Sequence, residues 1–134
     1  MKFEDVELGD DLPSEQPDIS LPKIQQWCDA ADQHFPRFVD HEAARAEGLP
    51  GALVPGIMSQ SFLLAMIHRW APGCTVTKID TVFRGPLVIE TAPTISGAVT
   101  DTDEDERTAE VDLTIMSEEG RTVVIGTAVV AFAD

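Results

Sequence analysis

PGIMSQSFLLAMIHRW, residues Pro55 to Trp70, reads as one helix. Pro55 suits the first helical position, where its missing N–H would find no partner anyway. Pro72 falls just past the far end, where a helix cannot continue. Sixteen residues at ~1.5 Å rise give roughly 24 Å, about the depth of a small domain. The centre, Phe62 to Ile67, is apolar on nearly every face, so the helix is expected to be buried on most sides. It is too short, and too polar at both ends, to span a bilayer. After Pro72-Gly73 the pattern changes to period two, and a helix wrapped by a sheet is the simplest architecture.

Thr75–Phe83 reads as a strand closed by Gly85-Pro86, and Thr91–Thr100 as a second. In Thr108–Met116, Val111, Leu113 and Ile115 share one face while Glu110, Asp112 and Thr114 share the other. Glu118-Glu119-Gly120 makes a hairpin turn. Arg121–Phe132 is the most apolar strand and is expected to be central in its sheet. Residues 1–20 carry Gly9, Pro13 and Pro17 and read as an extended leader with at most a short strand. Ser20 is a candidate N-cap for a helix whose apolar positions are Leu21, Ile24, Trp27, Cys28 and Ala31, ending near Asp32. A loop follows, and Asp40 can cap a short helix through Arg45 or Ala46. Gly48, Pro50 and Gly51 then break the chain. The expected fold class is α+β: one domain over residues 1–134, two short helices, one long helix and an antiparallel meander of about four strands. That is the pattern of a hot-dog fold, a curved sheet around a central helix.

The 24 acids against 9 Lys+Arg leave a net charge of −15. Such a surface repels nucleic acid and anionic lipid, so neither is an expected partner. It also repels a polyanion such as coenzyme A unless a local basic patch offsets it. The N-terminus, acidic and without an apolar core, does not resemble a secretory signal, and a cytoplasmic location is expected. Cys28 and Cys74 show no metal-ligand spacing and read as buried thiols of a reducing compartment. No metal or cofactor is expected.

The segment Trp27 to Asp40 (WCDAADQHFPRFVD), then Ala43 to Gly48 (AARAEG), then Val54-Pro55-Gly56-Ile57-Met58, resembles the MaoC-like hydratase/dehydratase family. The later Thr81 to Pro86 (TVFRGP) resembles that family's strand ending in a proline loop. The resemblance implies a hot-dog domain acting on acyl-CoA or acyl-carrier thioesters. The family motif runs roughly D-x-N-P-x-H-x-D, then a short helix, then A-H-G-M opening the central helix. Here the proline is Pro36, but Phe35 stands for the asparagine, Gln33 for the aspartate, Phe38 for the histidine and Pro55 for the histidine before the glycine. In the family the aspartate and histidine handle a water and the α-proton of the thioester. Glutamine and phenylalanine cannot exchange those protons.

A one-residue shift brings Asp32 near the aspartate position with His34 beside it, so these are the candidate acid–base pair. Asp29 and His34 also keep the family's separation, displaced along the chain. The resemblance makes Gly56 an oxyanion donor at the helix start, with Pro55, Ile57 and Phe38 around the substrate and Arg84 a candidate for a coenzyme A phosphate. His41, following an N-cap, is expected to face solvent. His68 and Arg69 suit the negative end of the helix dipole. Met58, Phe62 and Met66 read as core, and Trp27 and Trp70 as core or interface anchors. Ser59 and Ser61 lack a G-x-S-x-G setting. Three readings follow: an enoyl-thioester hydratase or dehydratase using Asp32 and His34; a non-catalytic subunit paired with a hot-dog subunit that supplies both groups; and, last, a thioesterase, which usually needs a carboxylate near the central helix. An open sheet edge implies a homodimer or heterodimer.

Overall fold

The computed structural model describes residues 1–133. Its sheet is built from β1 (Asp11–Glu15), β2 (Thr75–Phe83), β3 (Thr94–Asp103), β4 (Thr108–Met116) and β5 (Thr122–Ala131). The helices are α1 (Leu21–Ala31), α2 (His41–Ala46) and α3 (Gly56–Trp70). The five strands run antiparallel in the order β1-β3-β4-β5-β2. The alternation of β4 sets the inner face: Val111, Leu113 and Ile115 are at most 1% exposed and pair with Ala128, Gly126 and Val124. Onto that face α3 sets Met58, Leu63, Met66 and Ile67. The other sides of α3 are half-covered or open, with Ile57 62% exposed. The helix is therefore buried along one stripe rather than on most sides.

Three further expectations are corrected. Pro55 is the residue before α3, with extended backbone at ψ 138°, and Gly56 is the first helical residue. The sheet is no simple meander, because β2 lies outside β5 at the far edge and β4, not β5, is in the middle. β5 is nevertheless flanked on both sides, which accounts for its apolar composition. β3 starts at Thr94 rather than Thr91, just after Pro93, which has no N–H to give a ladder. The connection between β2 and β3 instead runs past the start of α3. There Val54 donates to the Leu87 carbonyl at 2.9 Å, Ile89 donates to that of Ala52 at 3.0 Å, and Leu53 bridges Val88.

The leader does contain a strand, β1, paired with β3. α1 ends where Asp32 turns left-handed at φ 53°, letting Gln33 donate to the Cys28 carbonyl at 2.9 Å. Ser20 precedes α1 without a side-chain cap. Asp40 caps α2, its Oδ1 accepting from Glu42 and Ala43 at 2.9 and 3.2 Å. Arg69 of α3 pairs with Glu15 of β1. Trp70 stands edge-on to Phe132 at 6.0 Å, and Cys28 is buried as a free thiol. No helix among the described residues is long and apolar enough to cross a membrane.

Candidate active site

The αL turn at Asp32 throws the chain outward, and this decides where His34 goes. Its Nε2 lies 3.3 Å from Asp32 Oδ1 and its Nδ1 lies 3.6 Å from Asp29 Oδ1. The side chains are 60% (His34), 95% (Asp32) and 76% (Asp29) exposed. The sequence-level acid–base pair is thus brought together, but in water, where such contacts are weak. His34 edges an open cavity of about 480 Å³ that Cys28, Gln33, Phe35 and Pro36 also line. Burial first, then the Asp29 charge, pushes the Cys28 thiol above its usual pKa. Pro55, Gly56 and Ile57 take no part in that cavity's lining.

The amino end of α3 is a separate place. Its first helical hydrogen bond runs from the Ser59 N–H to the Pro55 carbonyl at 3.0 Å, so the amides of Gly56, Ile57 and Met58 precede the ladder and point out of the helix end. They carry the positive end of its dipole. Phe83, the last residue of β2, lays its ring on Gly56: a Cβ built there would lie 3.0 Å from the ring tip. That close approach is what a glycine allows here. Phe83 is 53% exposed and Ile57 62%, which leaves apolar surface at the helix start where β2 forms the sheet edge, while Val82 (50%) points to the opposite face of the strand.

Phe38 is partly buried against the core, edge-on to Phe35 at 5.8 Å. Its neighbour Arg37 accepts the Leu53 N–H at 2.9 Å through its carbonyl, linking the loop after α1 to the lead-in of α3. Arg84 follows Phe83 directly and is exposed. It shares a surface cleft of about 420 Å³ with Arg121, Glu119 and Pro50. Two guanidinium groups in one cleft are a local basic feature on an acidic chain.

Two residues escaped the sequence reading. Phe83 belongs to the inner-facing series Ile79, Thr81, Phe83, but nothing local says that this strand's end meets the helix's beginning. His41 does not face solvent freely: its Nδ1 accepts from Ala52 N–H at 3.0 Å and its Nε2 lies 2.7 Å from Glu90 Oε1. Among the described residues there is no group of three His, Cys, Asp or Glu arranged to hold a metal ion.

No protein-family model matches the chain, and no curated protein matches it significantly. Solved structures do. An (R)-hydratase from A. caviae involved in PHA biosynthesis superposes with a TM-score of 0.89 at 19% identity, covering 96% of this chain and 98% of that one. The ChsH1-ChsH2 complex from Mycobacterium tuberculosis matches with a TM-score of 0.86 at 19% identity, covering 96% and 99%. A MaoC-like dehydratase from Rhodospirillum rubrum matches with a TM-score of 0.80 at 19% identity, covering 100% and 98%. At these identities the likeness is one of fold. The chain is a hot-dog domain, with the architecture that these (R)-hydratase and MaoC-like dehydratase structures share.

Proposed function

We propose that the chain is an acyl-thioester protein of the MaoC-like hydratase/dehydratase type, and that it holds the substrate while a paired hot-dog subunit brings the aspartate and histidine. The substrate class is an enoyl or 3-hydroxyacyl thioester on coenzyme A or an acyl carrier. Adding water across the enoyl double bond puts negative charge on the thioester oxygen, and the outward amides at Gly56 and Ile57 are suited to receive it. A preorganised donor of this kind is worth on the order of 2.7–4 kcal/mol in known enzymes. Ile57 and Phe83 offer hydrocarbon for the acyl chain beside those amides. Arg84 and Arg121 offer charge for a phosphate.

The observation that carries the subunit role is the split between the two places. The acid–base candidates Asp32 and His34 stand in solvent beside a cavity that excludes the helix end, while the motif positions hold Gln33 and Phe38. The unpaired edge of β2 gives a partner somewhere to join. That one of the similar structures is a two-component complex favours an unequal pair, although a homodimer satisfies the edge as well.

Titration of the isotope-labelled chain with crotonyl-CoA tests the binding half. The amide resonances of Gly56 and Ile57 are expected to shift first and furthest. Shifts confined to the His34 cavity, or none at millimolar ligand, would overturn the placement. The competing reading, hydration by Asp32 and His34 themselves, draws on one observation: His34 lies between two carboxylates, Asp29 and Asp32, that can orient it.

A further inference from the structure

His41 opens α2 and is engaged through both ring nitrogens, to Ala52 N–H at 3.0 Å and to Glu90 at 2.7 Å. A nitrogen that accepts from a backbone N–H carries no proton, so the ring is the neutral tautomer with its proton on Nε2, donated to the carboxylate. The surroundings are shaped to this contact. A Cβ on Gly51 would lie 2.9 Å from His41 Nδ1 and 3.1 Å from Val88 Cγ1, so the chain passes where a side chain would not fit. Glu90 sits in the left-handed region at φ 63°, uncommon for a residue with a side chain, and its own N–H donates to the Ile19 carbonyl at 2.9 Å. One imidazole thus joins α2, the lead-in to α3 and the β2–β3 connection.

Charge around the ring comes from few groups. Glu90 faces it from the β2–β3 connection. On its own side, Asp40 is committed to the first amides of α2, Glu42 follows, and Arg45 Nε donates to the Pro50 carbonyl at 3.3 Å. The lead-in presents backbone at Gly51 and Ala52, and Val88 presents hydrocarbon.

We infer that His41 is a proton-operated latch on residues 51–55. Protonation at Nδ1 turns the acceptor into a donor facing the Ala52 N–H, and that bond is lost while the pairing with Glu90 remains. The lead-in is then held by its ties to Leu87, Val88 and Ile89 and by the Leu53 N–H to the Arg37 carbonyl. Residues 51–55 run directly into Gly56, so the latch bears on the position of the α3 amino end. This holds whether or not the chain binds a thioester.

The test is hydrogen exchange at the Ala52 amide between pH 8 and pH 5, corrected for intrinsic exchange, with nitrogen NMR of the His41 ring. At pH 8 the ring is expected as the Nε2–H tautomer. At pH 5 Ala52 protection is expected to be roughly tenfold lower than at pH 8, the scale of one lost buried hydrogen bond. The Val111 amide, deep in β4, serves as the unchanged reference. In His41→Asn the side-chain oxygen can accept from Ala52 and gains no proton, so protection becomes independent of pH. An Nδ1–H tautomer at pH 8, pH-independent protection in the native chain, or a pH dependence that persists in His41→Asn each overturns the latch. If that variant does not fold, the tautomer and titration of the native chain decide the question alone.

Discussion

His34 and His41 lie close in sequence on either side of the Asp40 cap, yet the fold treats them differently. His34 keeps two carboxylates at 3.3 and 3.6 Å and is 60% exposed. His41 has bonds of 2.7 and 3.0 Å to groups distant in sequence and is 32% exposed. A histidine near a degraded catalytic motif invites a catalytic reading, whereas one just after a helix cap invites dismissal. The geometry reverses the weights. Water screens the His34 contacts, while the His41 contacts hold three segments in register. What matters is how many separate pieces of chain a polar side chain satisfies, which motif position does not reveal.

The contrast can be broken by mutation, beginning with the largest effect. His41→Ala strips the Ala52 N–H and Glu90 of their partner and is expected to cost about 1–3 kcal/mol in urea denaturation at pH 7.5; a cost near zero would place His41 with His34. Asp40→Ala removes the cap shared by the two amides of α2 and is expected to cost about 1 kcal/mol, read from the same denaturation curves. The cavity beside His34 should be chemically quiet. Burial and Asp29 hold the Cys28 thiol above its ordinary pKa, so the thiolate fraction at pH 7.5 falls below that of a free cysteine, and iodoacetamide labelling in the native state is expected to be slower than in the unfolded chain. Its pH profile should be displaced to higher pH. The smallest effect is His34→Ala, within about 0.5 kcal/mol of the native stability. In a reconstituted pair it should leave turnover within about twofold, whereas loss of a working general base typically costs 10²–10⁴.

Much of the framework was legible because it depends on local chemistry. The central helix follows from its apolar run and bracketing prolines, the β4 face from Val111, Leu113 and Ile115, and the α2 start from Asp40. What was not legible depends on which distant pieces meet. The place of β2 outside β5 is a matter of pairing choice, which strand composition does not encode. Pro93 carried a readable signal for the late start of β3, since it cannot donate to a ladder. The Phe83–Gly56 contact and the His41 bonds to Ala52 and Glu90 need the folded register before they exist. Within the candidate site, the inability of Gln33 and Phe38 to exchange a proton could be read directly, while only the resemblance sets them at the motif's acid and base positions. The exposure of Asp32 and His34 could not, because it follows from the left-handed turn at Asp32.

The central claim is that this chain carries an acyl thioester but not the acid and base. It is tested most directly by offering crotonyl-CoA to the purified chain and following loss of the enoyl absorbance. The expected result is no hydration by the chain alone, with turnover appearing when a hot-dog subunit bearing its own aspartate and histidine is added. Hydration by the chain alone, abolished in Asp32→Asn, would contradict it.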